Sequence, residues 1–170
     1  MNNGKNGVQP IPDDMRGVIP HLVVRGGVQA IEFYKKAFGA QEIMRMPGPD
    51  EKTIGHAELK ICGSMVFLAD ECPEMGNRSP LALGGTAVTL SFYVEDVDAV
   101  FAQAVAAGAT ARMPPADMFW GDRYCQVADP FGHVWALCTH KEDVTPAEMG
   151  RRAQAAYAEF AKGKKQPAAV

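Results

Sequence analysis

The chain lacks several features that would assign it to a particular class of protein. Its 170 residues include four cysteines, none of them at the Cys-x-x-Cys spacing of zinc or redox motifs. No run approaches the roughly 20 apolar residues that cross a bilayer, and the polar amino terminus has no signal-peptide core. The net charge of −3 shows no basic excess of the kind that binds nucleic acid. These absences predict a cytoplasmic protein with reduced thiols and with neither a nucleic-acid nor a membrane partner.

An internal repeat is the main feature that the sequence does contain. When the chain is shifted by 69 residues, the segment 28–40 falls on 97–109, and the segment 62–70 falls on 131–139. Apolar residues and glycines coincide in both pairs of segments. Because one shift serves two distant segments, the sequence indicates a duplicated module.

Each copy of the repeat has the pattern of a βαβββ unit. The β-branched stretch 18–25 predicts a strand, and apolar residues at helical spacing over 28–38 predict a helix that ends at Gly39. Three short strands follow, and the second copy repeats this order. A Thr-x-x-Glu capping box at Thr145 and an apolar stripe after it predict one further amphipathic helix.

These patterns divide the chain into six parts. The predicted organisation is a flexible N-terminal segment at 1–16, a first module at 17–70, a linker at 71–86, a second module at 87–140, a C-terminal amphipathic helix at 141–163 and a flexible tail at 164–170.

Two motifs carry a resemblance to a known family. AIEFYKKAFGA lies in the first predicted helix, and DPFGHVW precedes the last predicted strand. Tandem βαβββ modules with these motifs resemble the vicinal oxygen chelate superfamily of glyoxalases, bleomycin resistance proteins and dioxygenases, and within it the PhnB-like branch. The resemblance implies an α+β fold in which curved mixed β-sheets surround a concave pocket, helices cover the outer face, and an extra helix follows here.

Strand alternation selects the side chains that would face this pocket, because residues i and i+2 share a face of a sheet. Trp135 then packs against a helix while Ala136 faces inward. The loop 113–124 adds aromatic rings at the pocket mouth, and its arginine is able to hold an anionic group. The predicted ligand-binding residues are His21, His56, Glu58, Phe67, Thr89, Tyr93, Trp120, Arg123 and Tyr124.

Each of these predictions has a plainer alternative. His21 in an apolar strand is more often a hydrogen-bonded structural histidine than a functional one. The row that contains His56 and Glu58 is equally typical of a solvated sheet face. Trp120 is also consistent with closing the core or a subunit interface. We expect His133 to cap the DPFG turn, and His140, past the last strand, to be exposed to solvent.

The resemblance also implies where a metal ion would be held. Metal-dependent relatives take ligands from the first and last strands of each module, positions that fall here at Ile19, Phe67, Thr89 and Ala136. None is a usual metal ligand, and Ala136 replaces the glutamate expected after DPxG. We therefore predict no metal site of the family's usual kind. His21 with His56 and Glu58 remains the one alternative for a divalent metal.

Two functions follow from these observations. The first is a small-molecule-binding protein that holds a hydrophobic or aromatic ligand in the concave cleft without the usual metal. The alternative is a metal-dependent lyase, isomerase or dioxygenase, which requires a divalent ion with open coordination positions. The resemblance also implies a homodimer whose pockets lie at or near the subunit seam.

Overall fold

The computed structural model describes residues 8–163 of the chain. The strands are β1 (His21–Val24), β2 (Gln41–Pro47), β3 (Ile54–Ile61), β4 (Ser64–Asp70), β5 (Thr89–Tyr93), β6 (Thr110–Asp117), β7 (Asp122–Ala128) and β8 (Val134–His140). The helices are α1 (Gly27–Phe38), α2 (Pro80–Leu83), α3 (Val97–Ala106) and α4 (Pro146–Gly163). Two 3₁₀ turns lie at Asp13–Met15 and Pro73–Met75. The predicted tail and the first seven residues fall outside the described part.

The two modules form two four-stranded sheets with the same topology. The strand orders are β1-β4-β3-β2 and β5-β8-β7-β6. In each sheet the first and last strands of the module pair in parallel, and the other pairings are antiparallel. The prediction of an α+β fold made of two βαβββ modules is therefore confirmed.

The two copies hold the N-termini of their main helices with equivalent residues. Asp70, at the end of β4, accepts hydrogen bonds from the backbone N–H groups of Gly26 and Gly27, each at 2.8 Å. Thr139 is 69 residues further on, and its hydroxyl accepts from the backbone N–H of Val97 at 3.0 Å. Each side chain thus satisfies helix N–H groups that have no partner inside the helix.

One hydrophobic core joins the modules. The helix-covered face of the first sheet contributes Leu22 and Leu68, and that of the second contributes Trp135 and Leu137. Between them lies Tyr34 of α1, which is fully buried and packs against Trp135 with the ring centroids 5.4 Å apart. The opposite face of each sheet, which we call the open face, is left for other contacts.

The DPFG turn is organised by a buried carboxylate. One oxygen of Asp129 accepts the backbone N–H groups of Phe131 and His133, each at 2.9 Å. The other accepts the indole N–H of Trp135 at 2.8 Å. The His133 ring also lies 3.1 Å from the carbonyl of Val23, so this turn contacts the free edge of β1.

Three elements have features that the sequence patterns did not specify. β5 begins at Thr89, so Val88 lies outside the strand and is 62% exposed. β6 continues through two prolines to Asp117, with irregular pairing to β7. The linker contains α2, whose N-cap Ser79 is fully buried and bonded to the carboxylate of Glu71.

The C-terminal helix begins where its capping box predicted. The Thr145 hydroxyl accepts the backbone N–H of Glu148 at 3.3 Å, and Pro146 occupies the first turn. Tyr157 then contacts Phe119 of the β6–β7 loop, with the ring centroids 6.1 Å apart. Among the described residues no helix has the length and apolar character needed to cross a membrane.

Candidate functional site

Strand alternation in the structure separates core residues from open-face residues as expected. On β8, Trp135 and Leu137 belong to the shared core, whereas Ala136 and Cys138 lie outside it on the open face. On β5 the rows alternate in the same way, and Tyr93 is 60% exposed on the open face. The open faces therefore carry most of the predicted site residues.

Four predicted residues meet on the first open face, and we call them the first-module cluster: His21, His56, Glu58 and Phe67. The His56 ring lies 4.9 Å from the Phe67 ring and 5.9 Å from that of His21, measured between centroids. Nε2 of His56 is 3.6 Å from an oxygen of Glu58. Partial burial, and then the charge of His56, lower the pKa of His21. The cluster is aromatic, and its His21 favours the neutral form.

A second group occupies the second open face, and we call it the second-module cluster: Tyr93, Trp120, Asp122 and His140. Asp122 is its centre, with a side chain only 7% exposed. One of its oxygens accepts the Tyr93 hydroxyl at 2.8 Å and the Trp120 indole N–H at 3.1 Å. The other lies 2.9 Å from Nδ1 of His140. A single carboxylate thus orients two aromatic side chains and an imidazole.

These contacts shift the ionisation of the whole cluster. Burial alone would raise the pKa of Asp122, but hydrogen bonds from His140, Tyr93 and Trp120 outweigh burial and lower it. The same carboxylate raises the pKa of Tyr93 to about 12. His140 is held between Asp122 and Asp143, at 2.9 and 3.0 Å, and both raise its pKa. Asp122 is therefore ionised at neutral pH, and His140 favours its protonated form.

A cavity of about 400 Å³ opens beside the second-module cluster. Its walls are the four residues of the cluster, the segment 142–145 and Met149 at the start of α4. The volume lies within the usual range for small-molecule pockets, which combine apolar walls with a few fixed polar groups.

Tyr124 also reaches the open face, next to the second-module cluster. Its ring contacts that of Trp120, with the centroids 5.6 Å apart, and its hydroxyl accepts the side-chain amide of Gln126 at 2.5 Å. Thr89 lies at the other end of β5, where it pairs in register with Val134. Trp120 is half-buried at the cavity wall and does not belong to the shared core.

The structure does not bring Arg123 to the cavity. It follows Asp122 on β7 and so points to the opposite face, where its guanidinium binds Asp98 of α3 at 2.5 and 2.7 Å and Asp117 at 3.1 Å. These carboxylates raise the pKa of Arg123. The charge of Arg123 is thus already paired with two carboxylates. Its bonds to Asp98 hold β7 against α3.

Sequence reasoning missed the two polar residues at the centre of the second-module cluster. Asp122 stands two positions before Tyr124 on β7, and His140 stands two positions after Cys138 on β8. Asp122 therefore shares a face of β7 with Tyr124, and His140 shares a face of β8 with Ala136, so strand alternation also places Asp122 and His140 inward. His140 is exposed, as expected, but it has two carboxylate partners.

The four cysteines carry no paired or activated thiol. All are free in the structure. Burial raises the pKa of Cys125 to about 11 and, to a smaller extent, that of Cys138 and Cys62. A thiol with a raised pKa is a poor nucleophile.

The residues at the family's four metal-ligand positions do not fit a metal ion. Register places His21, rather than Ile19, beside Phe67, and Ser91, rather than Thr89, beside Ala136. The β4 and β8 positions thus carry a phenyl ring and a methyl group. Within residues 8–163, no group of three or more His, Cys, Asp or Glu side chains is arranged to hold a metal ion.

Comparison with known proteins defines the class to which this fold belongs. The family model described as the Glyoxalase/Bleomycin resistance protein/Dioxygenase superfamily matches residues 19–137. The chain belongs to this superfamily.

Two curated relatives are similar to this chain over more than two thirds of its length. Protein Rv0887c of Mycobacterium tuberculosis is 54% identical over 133 residues, which cover 76% of this chain and 78% of that protein. Protein At5g48480 of Arabidopsis thaliana is 31% identical over 123 residues, which cover 68% of this chain and 73% of that protein.

Solved structures share the same architecture. TioX from Micromonospora sp. ML1 is 28% identical with a TM-score of 0.57, and the match covers 73% of this chain and 99% of TioX. The fosfomycin resistance protein FosX from Listeria monocytogenes, complexed with Mn(II) and sulfate, is 20% identical with a TM-score of 0.57. That match covers 81% of this chain and 98% of FosX, and at this identity it shows the fold alone.

Proposed function

We propose that this protein binds a hydrophobic or aromatic small molecule on the open face of its second sheet, without the metal ion used by metal-dependent relatives. The observation that carries the proposal is the second-module cluster with its cavity of about 400 Å³. Asp122 fixes Trp120 and Tyr93 by hydrogen bonds, so two rings are oriented before a ligand arrives. Such preorganisation reduces the entropy that binding would otherwise cost.

The rings at this site favour a planar or apolar ligand body. Trp120 packs edge-on against Phe119 and Tyr124, with centroid distances of 5.0 and 5.6 Å. Its indole N–H is bonded to Asp122, so its remaining surface is apolar. Met149 adds a flexible apolar side chain to the lining of the cavity. Aromatic anchors in this setting typically dominate binding energy.

The side chains at the family's metal-ligand positions support a binding site without a metal ion. Phe67 and Ala136 offer no donor atom, and Ala136 is 1% exposed, which leaves little room for a coordinated ion beside it. A divalent ion with open positions needs several nitrogen or oxygen ligands at one point. His21, which pairs with Phe67, and Ser91, which pairs with Ala136, do not supply several ligands by themselves.

A metal-dependent lyase, isomerase or dioxygenase is the second candidate function. It is favoured by the first-module cluster, where two imidazoles and the carboxylate of Glu58 lie on one open face. These side chains are not arranged to hold a metal ion, since residues 8–163 contain no group of three or more His, Cys, Asp or Glu side chains so placed, and metal binding there requires them to rearrange. The first function requires no such rearrangement.

We further propose that the protein is a cytoplasmic homodimer of the PhnB-like branch, with pockets at or near the subunit seam and no nucleic-acid partner. Exposed apolar residues support a second copy as the partner, since large apolar patches are uncommon on monomers. Tyr157 on α4 is 67% exposed, and Met44 and Met46 on the edge strand β2 are 42% and 52% exposed.

Mass spectrometry of small molecules released from the purified protein tests the proposed function. We expect an aromatic or hydrophobic compound to co-purify with the wild type and to be lost from Trp120→Ala. His56→Ala serves as the matched control on the first open face and should retain the compound. Loss from His56→Ala with retention by Trp120→Ala would move the ligand to the first-module cluster and contradict the proposal.

A further inference from the structure

The cavity beside the second-module cluster carries an imbalance of charge that its aromatic walls do not explain. Its lining includes the carboxylates of Asp122, Glu142 and Asp143, and among the lining residues the basic side chain is that of His140. Glu142 is neutralised from outside by Arg152, which binds both its oxygens at 2.7 Å. Two carboxylates then share one imidazole, so the cavity is negative whether or not His140 is protonated.

Asp122 has more acceptor capacity than its hydrogen bonds within the cluster use. An ionised carboxylate has about four lone-pair sites, and Asp122 uses three of them, for Tyr93, Trp120 and His140. Asp122 lines the cavity, and its side chain is only 7% exposed, so its charge is largely desolvated. A donor placed against Asp122 would be bonded to a desolvated charge, which makes a strong hydrogen bond.

Asp143 provides a second acceptor that is free to move. Its side chain is fully exposed, and its contact within the cluster is the bond to Nε2 of His140 at 3.0 Å. Tyr93 and Trp120 line the same space, and aromatic rings attract cations through their negative faces. Carboxylates and aromatic rings that line one cavity match the needs of an organic cation.

We propose that this cavity takes the cationic group of an amine-bearing aromatic ligand, held by the carboxylates of Asp122 and Asp143 against the rings of Tyr93 and Trp120. This inference rests on the proposed function, because it names the ligand class for the same cavity. An anionic group would face both carboxylates without a free cation to hold it. A neutral ligand would contact the rings but would leave both charges uncompensated.

The ligand cation competes with the proton on His140. Several charged and titratable groups face this imidazole. They are Asp122 of β7, Tyr93 of β5 with Glu95 just past it, and Glu142 and Asp143 of the segment 142–145. Arg152 of α4 lies behind Glu142. A protonated His140 neutralises one of the two carboxylates that the ligand needs. Loss of that proton also makes Nε2 an acceptor for the ligand ammonium. Affinity for the cation should therefore rise as His140 loses its proton.

Three probes of one shape test the inference on the full chain: phenethylamine, 2-phenylethanol and phenylacetate. They carry a positive, a neutral and a negative group on the same ring, and binding is followed by tryptophan fluorescence and calorimetry. We expect phenethylamine to bind about tenfold more tightly than the alcohol, as a charge-assisted bond allows. We expect several-fold weaker amine binding at about pH 6 than at about pH 8.5, because a larger fraction of His140 is protonated at the lower pH.

Substitutions identify the groups responsible. Asp122→Asn and Asp143→Asn should each remove most of the preference for the amine, while Asp98→Asn, whose carboxylate lies on the other face of the second sheet, should retain it. Circular dichroism checks that Asp122→Asn is folded. If Asp122→Asn is unfolded, the loss of amine preference is measured in Asp143→Asn instead. Equal affinities for phenethylamine and 2-phenylethanol would overturn the cation site. If both probes then failed to bind Trp120→Ala, the proposed function would still be supported. No saturable binding of phenethylamine, or tighter binding of phenylacetate, would also overturn the cation site.

Discussion

The hydroxyl of Tyr34 donates a buried hydrogen bond of 2.7 Å to Oδ2 of Asp129, a residue 95 positions further along the chain. Tyr34 belongs to the helix of the first module, and Asp129 opens the DPFG turn of the second. Burial and the neighbouring carboxylate raise the pKa of this tyrosine well above its ordinary value. The hydroxyl therefore remains a donor, and it joins the two motifs that carry the family resemblance.

Tyr34→Phe should lower the free energy of unfolding by about 1–3 kcal/mol, the usual cost of leaving a buried partner unsatisfied. Asp129 would retain its bonds from Trp135 and the turn backbone but would lose one donor to its Oδ2. Urea denaturation measures the change. Tyr157→Phe is the control, since that side chain is 67% exposed. Equal stability of the two variants would show that the bond does not hold the modules together.

The two tryptophans should have opposite roles. Trp135 is 2% exposed in the shared core, so Trp135→Ala should cost about 3–5 kcal/mol of stability. Trp120 lines the cavity, so Trp120→Ala should chiefly reduce ligand affinity, by about 2 kcal/mol or more for an aromatic anchor. Thermal unfolding and ligand titration of both variants check this division. If Trp120→Ala unfolds the protein and Trp135→Ala does not, the assignment of faces is wrong.

The stability of the wild type should depend on the protonation of His140. Its pKa is raised from an ordinary value of 6.5, so its contacts with the two carboxylates stabilise the fold fully below pH 6.5. That contribution is lost as the pH rises through the raised pKa. His140→Gln should therefore remove a decline in stability above pH 6.5, as measured by denaturation across this range.

His21 provides the matched comparison for that experiment, because its pKa is lowered from the same value. Its folded form binds fewer protons, so its contribution to stability is lost as the pH falls below 6.5 and through the lowered pKa. His21→Gln should change the profile with the opposite sign. The same slope in both variants would contradict the assigned environments of the two histidines.

We predict a homodimer in solution. The exposed apolar side chains on β2 and α4 would then be buried between copies. Light scattering on a size-exclusion column at micromolar concentration should give the mass of two 18.3 kDa chains. The mass of a single chain would refute the dimer.

The fold was predictable from the sequence because the same local patterns occur in both copies of the repeat. Gly39 ends α1 in the left-handed conformation, at a φ of 65°, and Gly108 aligns with it in the second copy. Strand alternation also assigned Trp135 to the core and Tyr93 to the open face. Local patterns of this kind depend on backbone geometry alone, and each was available twice.

The site was less predictable because its contacts join elements that are distant in sequence. Arg123 looked like a ligand-binding cation, but its strand register turns it toward Asp98 of α3. Asp122 was overlooked because its three partners come from β5, the β6–β7 loop and β8. The cavity also depends on where α4 begins to pack, which no local pattern specifies.

Metal content is the most direct test of the central claim that this protein binds its ligand without the usual metal site. The measurement is elemental analysis of protein purified without an affinity tag, followed by titration with nickel, zinc, manganese and iron(II). We expect no stoichiometric metal and no tight binding of any of the four ions. One equivalent of tightly held metal per chain, lost in His21→Ala, would contradict metal-free binding and favour the metal-dependent enzyme.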